Sequence, residues 1–157
     1  MDRFNTILSN YKYKGYVAKL EELENERVFC NHTIEHFLDV ARIAYIQVLE
    51  RGLDYSKDVI YAIALLHDIG RVLQYTKGIE HDEGSVILAK EILPETDYLD
   101  SEVEIILKAI LNHRNETEDE LSKIIYSSDK LSRNCFKCKA ENECYWSKEK
   151  KNFHIKY

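Results

Sequence analysis

The chain has 157 residues, of which 45% are hydrophobic and 32% are charged, so it is long enough to bury a core without disulfide bonds. Residues 1–5 lack the apolar stretch of a signal peptide. The longest uncharged apolar run, residues 59–66, is far too short for a membrane span. We therefore expect a cytoplasmic protein without membrane contact, in which the four cysteines do not form disulfide bonds.

The net charge of −6 is unevenly distributed along the chain. Residues 130–157 contain eight Lys or Arg against three Glu, a local charge of +5, which leaves −11 for residues 1–129. A general nucleic-acid-binding protein is expected to be basic over a whole face, so an acidic body with a basic tail argues against that function. Bound metal cations would offset part of the acidity of the body.

Five glycines and one proline leave few places for tight turns, which favours long helices over a many-stranded sandwich. Residues 59–66 are apolar almost all round, so their helix, with Ser56 as its N-cap, is predicted to be the central buried one. The predicted helices cover residues 5–24 (loosened near Gly15), 31–51 (ended by Gly52), 59–66, 82–93 (ended by Pro94), 101–112 and 118–132.

The sequence thus predicts an all-α fold, with a compact helical bundle over residues 1–132. Residues 133–157 differ in composition, because they are rich in lysine and aromatic residues and hold three of the four cysteines. We expect this short tail to pack on the helical bundle as a separate segment.

The most informative pair is His67-Asp68, at the end of the predicted buried helix. A buried carboxylate beside an imidazole is unfavourable unless it is paired or binds a cation. The alternative is that Asp68 caps the next segment while His67 donates to a backbone carbonyl. Imidazole and carboxylate groups together suit Fe, Mn or Zn. Further candidates lie on other predicted helices: His36, His81, His113 and Asp129.

The order of these residues resembles the HD-domain family of phosphohydrolases, in which a His, then a His-Asp pair, then a distant Asp lie on helices. The matching stretches are residues 35–44, 65–71 and 128–131, and for an extended version of the family also residues 81–89 and 109–113. Each motif is weak alone, but the ordered set is specific. The resemblance covers about residues 30–132 and implies a compact HD-domain bundle.

The resemblance also implies a role for each ligand. A first divalent metal ion would be held by His36, His67, Asp68 and Asp129. His81 and His113 would supply a second ion, with Asp68 bridging the two. Members with this fuller set, such as the bacterial symmetrical diadenosine tetraphosphate hydrolases, often hold two metals. We therefore expect one or two Fe, Mn or Zn ions at this centre.

The reaction implied by the resemblance is hydrolysis of a small phosphate ester or anhydride. We favour a nucleotide or dinucleoside polyphosphate, because the domain is small and acidic. Residues 112–119 lack the Gly-Tyr-Pro sequence of the HD-GYP members, so cyclic di-GMP is not the expected substrate. Two other functions stay open: a metal-bound nucleotide sensor without turnover, and a redox-sensing module in which the cysteines matter most.

Three residues near the motifs are further candidates. Arg71 follows the His-Asp pair and could bind a phosphate through two hydrogen bonds, or lie solvated on the surface. Lys130 could pair with Asp129 or contact the substrate. His32 lies one helical turn before His36 and could face the same cleft, or cap and pack at the start of its helix. We take Asp68, Arg71 and Lys130 as the candidate catalytic residues.

The cysteines form a second candidate site, with the spacing Cys-x2-Cys-x5-Cys in the tail and one cysteine far upstream. This arrangement resembles the iron–sulfur staple of some nucleases, and its members are Cys30, Cys135, Cys138 and Cys144. If the flanking stretches were helical, Cys30 and Cys135 would each lie about 9 Å along the axis from His36 and Asp129, at the same end of an antiparallel pair. We predict a [4Fe–4S] cluster or a zinc ion that attaches the tail to the domain, with unrelated thiols as the alternative.

Overall fold

A computed structural model describes residues 2–157 of the chain. Within these residues the fold is all-helical, as the sequence predicts, and contains no β-strand. None of the helices described there is long and apolar enough to cross a membrane. The α-helices are α1 (Phe4–Ser9), α2 (Tyr11–Leu23), α3 (Ile34–Glu50), α4 (Lys57–Leu66), α5 (Arg71–Lys77), α6 (His81–Ile92), α7 (Asp100–Asn112) and α8 (Glu120–Leu131).

The central helix of the bundle is α4, in which seven of the ten residues are buried. Ser56 begins the helix as predicted, because its hydroxyl accepts a hydrogen bond from the Val59 amide at 3.2 Å. The helix packs against α1, α3 and α7. The residues that follow it, His67 and Asp68, are therefore delivered into the interior and are 0% and 2% exposed.

Two glycines allow the segment after α4 to cross α6 at very short range. A Cβ atom at Gly70 would overlap the backbone of His81 and Ser85, and one at Gly84 would lie 2.8 Å from the Gly70 carbonyl oxygen. The Gly70 amide also donates to the Ser85 hydroxyl at 2.9 Å. This crossing holds the end of α4 against the beginning of α6 and so places Asp68 beside His81.

We expect Gly70→Ala to lower the free energy of unfolding by about 3 kcal/mol, because the added methyl group meets backbone atoms that cannot rotate away. Gly15→Ala is the matched control. Gly15 is exposed in α2 with nothing within 4 Å of an added Cβ, so alanine there should stabilise the helix by about 1 kcal/mol. Urea unfolding followed by circular dichroism measures both changes. An unaltered stability in the Gly70→Ala protein would contradict the close crossing.

Two helices differ from the prediction. The helix predicted over residues 5–24 is interrupted at Asn10, whose extended backbone ends α1 and whose side chain accepts hydrogen bonds from the Lys12 and Tyr13 amides. Gly15, where the loosening was expected, lies inside α2. Helix α5 is absent from the predicted set, because its seven residues are too few to establish a helical periodicity before the chain turns at Gly78 with φ +69°.

Residues 133–157 contact the ends of two helices. Arg133 donates to the Asn31 carbonyl at 2.7 Å, next to the start of α3. The Asn152 side chain donates to the carbonyl of Lys130, in the last turn of α8, and to that of Arg133 just beyond it. The backbone carbonyl of Asn152 accepts from the Phe136 amide at 3.1 Å. These contacts connect the tail to the loop before α3 and to the last turn of α8.

Candidate metal centre

Six candidate ligands come from helix ends that meet on one side of the bundle. His36 lies in the first turn of α3, His67 and Asp68 follow α4, His81 begins α6, His113 follows α7 and Asp129 lies in the last turn of α8. All of them are buried except Asp129, which is partly buried. Because the helices point their ends at a common centre, residues far apart in sequence become neighbours there.

The first group of ligand atoms belongs to His36, His67, Asp68 and Asp129, and these atoms all lie within 4.8 Å of one another. His36 Nε2 is 3.2 Å from Asp129 Oδ1, and His67 Nε2 is 3.2 Å from Asp68 Oδ2 and 3.8 Å from Asp129 Oδ1. The structure therefore brings together the residues that the sequence assigned to a first metal ion.

The second group contains Asp68, His81 and His113, whose ligand atoms also lie within 4.8 Å of one another. Asp68 Oδ1 is 3.5 Å from His81 Nε2 and 3.6 Å from His113 Nε2. Asp68 thus turns one carboxylate oxygen towards each group. A carboxylate in this position can join two metal ions, since each of its oxygens can bind one of them.

Hydrogen bonds to the backbone fix which nitrogen of two rings faces the carboxylates. His67 Nδ1 lies 2.7 Å from the Ala64 carbonyl oxygen, and His113 Nδ1 lies 2.6 Å from the Ile110 carbonyl oxygen. A carbonyl only accepts, so each Nδ1 carries a proton and donates it. In its neutral form each ring then presents the lone pair of Nε2 to the centre, which is the arrangement found in metal-ligating histidines.

The unpaired atoms of the centre fit a divalent cation. Nε2 of His36, Nε2 of His67 and Oδ1 of Asp68 are buried and have no hydrogen-bond partner. Lone pairs of an imidazole and a carboxylate repel each other unless a proton or a cation lies between them. Imidazole nitrogens and carboxylate oxygens are ligands that Fe, Mn and Zn accept, so these buried groups could hold a metal ion.

The protonation of the centre follows from burial and charge. Burial lowers the pKa of His36 to about 4 and that of His81 to about 3, so both rings are neutral at pH 7 and free to bind metal. Burial also acts to lower the pKa of His67, but the Asp68 and Asp129 carboxylates outweigh it and raise the pKa to about 10. The interior therefore balances these carboxylates with a proton on His67 or with a bound cation.

Comparison with known protein families identifies the family of this chain. The HD domain model matches residues 33–134, more than half of the chain. The chain belongs to the HD-domain family. It is also similar to a protein of Clostridium beijerinckii that is described as uncharacterized, with 46% identity over 157 residues and 100% of both chains covered. No solved structure matches the chain. The resemblance drawn from the histidine and aspartate motifs is thus confirmed for this HD-domain chain.

A cleft of about 860 Å³ lies in front of the ligands, and Arg71 is part of its wall. Arg71 Nε is 3.5 Å from Asp68 Oδ1, while its Nη1 donates to Gln74 Oε1 at 3.0 Å. The side chain keeps 22% of its surface exposed. Arg71 therefore lies beside the centre and is not fully solvated, while its binding of a phosphate stays a prediction.

Lys130 also lines the cleft, and both roles considered for it are compatible with its position. Its Nζ atom is 3.1 Å from Asp129 Oδ2. The same ammonium group lies 5.4 Å from the ring centroid of Tyr126 and 5.4 Å from that of Trp146. The side chain is 39% exposed, so it pairs with a candidate ligand and remains open to the cleft.

His32 lies beside the metal centre, and it is held there by Glu24, a partner that the sequence did not indicate. Its ring is buried, and its Nε2 atom is 3.5 Å from Asp68 Oδ2. On the other side, Glu24 accepts from His32 twice, from Nδ1 and from the backbone amide, each at 2.7 Å. Tyr75 donates to the same carboxylate at 2.6 Å. Glu24 is the C-cap residue of α2 and the last residue of the helix predicted over residues 5–24. A charged side chain at a helix end gives no pattern that indicates burial.

The Glu24 carboxyl should make the free energy of unfolding depend on pH in the acid range. Burial acts to raise its pKa, but the bonds from His32 and Tyr75 outweigh burial and lower it from 4.5 to about 2. A carboxyl with a lowered folded pKa stabilises the fold above its unfolded pKa, and this contribution is lost as pH falls. Glu24→Gln should therefore cost up to about 3 kcal/mol at pH 7, and the difference should shrink between pH 4.5 and 2.

Urea unfolding in the presence of a metal chelator measures this effect without a contribution from bound metal. Glu22→Gln is the matched control, because Glu22 is 70% exposed and pairs only with Lys19 at 3.1 Å. It should change the free energy of unfolding by less than about 0.5 kcal/mol at either pH. If Glu24→Gln and Glu22→Gln behave alike, the network around His32 does not stabilise the fold.

The remaining predicted site residues lie outside this centre. His154 is exposed in the tail. The cysteines are all free thiols, and they line a different cavity from the metal ligands. Neither Cys30 nor Cys135 continues a helix towards its expected ligand, because α3 begins only at Ile34 and α8 ends at Leu131.

Proposed function

We propose that the protein is a metal-dependent phosphohydrolase in which Asp68 bridges two divalent metal ions, Fe, Mn or Zn. The observation that carries the proposal is the Asp68 carboxylate, whose Oδ2 atom lies 3.2 Å from His67 and whose Oδ1 atom lies 3.5 Å from His81. Membership of the HD-domain family supports the proposal, since that family generally consists of metal-dependent hydrolases.

In this proposal the first ion would be held by His36, His67, Asp68 and Asp129, and the second by Asp68, His81 and His113. A bound dication lowers the pKa of coordinated water and polarises phosphoryl oxygens, which provides a nucleophile near neutral pH. The chain itself keeps the ligands in their reactive orientation through the backbone contacts of the histidine Nδ1 atoms.

Arg71 and Lys130 act as the phosphate-binding residues of the proposed reaction. Arg71 is planar and lies 3.5 Å from Asp68, so its guanidinium can donate to a phosphate oxygen at the metal centre. Lys130 adds a second positive charge to the cleft, next to Asp129. Together they would orient the phosphoryl group and offset the negative charge that develops as the bond to phosphorus breaks.

The charge of the cleft favours a polyphosphate substrate. Its volume of about 860 Å³ is large enough for a nucleotide, since ligand pockets commonly measure about 300–1,000 Å³. Apart from the proposed ligands, the lining includes one carboxylate, Glu149. Its cationic residues are Arg71, Arg114, Lys130, Lys150 and Lys156. This concentration of positive charge on a chain of net charge −6 is what several adjacent phosphates require.

Aromatic residues on the same wall favour a nucleotide over a simple phosphate ester. Tyr126, Tyr145 and Trp146 line the cleft, and Tyr145 is 86% exposed. Exposed aromatic faces can stack on a base, at a gain of about 1–3 kcal/mol per base. We therefore propose a nucleoside polyphosphate or a dinucleoside polyphosphate as the substrate class.

A hydrolysis screen tests this proposal. The protein, supplied in turn with Fe, Mn and Zn, would be incubated with nucleoside mono-, di- and triphosphates, dinucleoside polyphosphates and p-nitrophenyl phosphate, and products would be separated by ion-exchange chromatography. We expect turnover that needs metal and that is fastest with a nucleotide bearing two or more phosphates. Tight nucleotide binding without turnover under any metal would instead indicate a sensor.

A further inference from the structure

The four cysteines, although spread over more than 100 residues of sequence, line one cavity of about 330 Å³. Cys30 comes from the loop before α3, and Cys135 comes from the short turn Cys135–Lys137 after α8. Cys138 and Cys144 follow in the tail and flank a second short turn, Glu141–Glu143. Four thiols from two stretches more than 100 residues apart would not be expected to meet in one cavity if they were unrelated packing residues.

The four sulfur atoms are not as close together as the ligands of a single ion would be. Among the described residues, the groups whose ligand atoms all lie within 4.8 Å of one another are the two histidine–aspartate groups, and no cysteine belongs to them. A tetrahedral zinc ion with bonds of about 2.3 Å would hold four sulfurs only about 3.8 Å apart. An iron–sulfur cube holds its thiolates further apart, because each binds a different iron atom.

The cavity also carries the positive charge that four thiolates need. Arg27, Arg133 and Lys151 line it together with the cysteines. Burial and the neighbouring thiols raise the pKa of Cys30, while the guanidinium of Arg133 acts in the opposite direction. Lys151 is held in place by the Glu141 carbonyl at 2.7 Å and the Glu141 carboxylate at 2.9 Å. These cations would offset the net negative charge of a cluster bound through four thiolates.

We propose that Cys30, Cys135, Cys138 and Cys144 bind a [4Fe–4S] cluster that attaches residues 133–157 to the helical bundle. The cluster would join the loop before α3 to the segment after α8. Without the cluster, this loop and this segment are connected by hydrogen bonds, such as the one from Arg133 to the Asn31 carbonyl at 2.7 Å. The proposed role is structural, and no change in the oxidation state of the cluster is required.

The cluster would also shape the cleft, an inference that rests on the proposed function. Trp146 lines both the cysteine cavity and the cleft in front of the metal ligands. Tyr145, Lys150 and Lys156 of the same tail form part of the cleft wall. A tail released from its cysteine anchor would withdraw these groups from the substrate while the histidine centre, built from α3 to α8, stays intact.

The proposal is tested on full-length protein that is purified without oxygen and supplied with iron and sulfide. Its iron content, its acid-labile sulfide content and its absorbance are measured. We expect about four iron and four sulfide per chain in addition to the iron of the histidine centre, with a broad absorption near about 400 nm. Cys30→Ser or Cys138→Ser should remove the sulfide and the absorption. Asn134→Ser is the matched control, because Asn134 lines the same cavity without a thiol.

Two comparisons keep this test separate from the proposed function. Asp68→Ala should retain the sulfide and the absorption of the cluster even if all hydrolysis is lost. Cys30→Ser should retain the metal of the histidine centre, and it should raise KM more than it lowers kcat. One zinc ion per chain that is lost on Cys30→Ser, without sulfide, would overturn the cluster in favour of zinc. Four freely titrating thiols in the native protein would overturn any metal at this site.

Discussion

Asp68→Asn should abolish metal-dependent phosphate hydrolysis, with a fall in kcat/KM of at least about 1,000-fold, or about 4 kcal/mol of transition-state stabilisation. Asparagine keeps the size of the side chain but removes the charge that both ligand groups share. The variant should therefore lose the bridging ligand and retain the fold. Asp68→Ala should have the same effect, with a further loss of packing.

The matched control is Asp39→Ala. Asp39 lies on α3, one turn after His36, but it is 46% exposed and pairs only with Arg42 at 3.6 Å. This variant should hydrolyse the best substrate of the screen at the rate of the unsubstituted protein. Circular dichroism and urea unfolding of all variants separate a lost ligand from a lost fold. Turnover by a folded Asp68→Asn protein within 10-fold of normal would show that Asp68 is not a bridging ligand.

His81→Ala or His113→Ala should lower the metal content of the histidine centre from nearly two ions per chain to about one. Both residues belong to the group around Asp68 Oδ1, at 3.5 and 3.6 Å, and neither belongs to the group around Asp129. Removing one imidazole leaves too few protein ligands for the second ion, while the first keeps His36, His67, Asp68 and Asp129. Hydrolysis should fall with the loss of the second ion.

Elemental analysis of protein prepared without metal stripping measures this content. His154→Ala is the matched control, since His154 is an exposed histidine of the tail. Metal bound by the cysteines is counted separately in a Cys30→Ser background. A metal content that stays the same in His81→Ala and His113→Ala would show that no second ion is bound there.

Features with a local cause could be predicted from the sequence. The central helix α4 followed from an apolar run and a Ser56 cap, and both occur in the structure as predicted. The His67-Asp68 pair was indicated by buried charge, because a carboxylate next to a histidine at the end of an apolar helix requires a partner. The full set of six candidate ligands was put together from the family resemblance. Their assignment to particular metal ions could only come from the family resemblance.

Features that depend on contacts between distant residues could not be predicted. Glu24 meets Tyr75 of α5 and the ring of His32 only once the end of α2 is packed against α5 and the loop before α3. The close approach of Gly70 to Gly84 likewise depends on the crossing of two elements rather than on either sequence. Trp146 faces the cleft because of the path of the tail after Cys144, which no periodic pattern describes.

The claim that Asp68 bridges two metal ions is tested most directly by anomalous X-ray diffraction at the absorption edge of the metal. The crystals would be grown from protein prepared without metal stripping. Two peaks on either side of the Asp68 carboxylate are predicted. The first should lie about 2.0–2.2 Å from ligand atoms of His36, His67 and Asp129, and the second at the same distance from His81 and His113. Protein that contains metal in solution but shows no peak beside Asp68 would contradict the account.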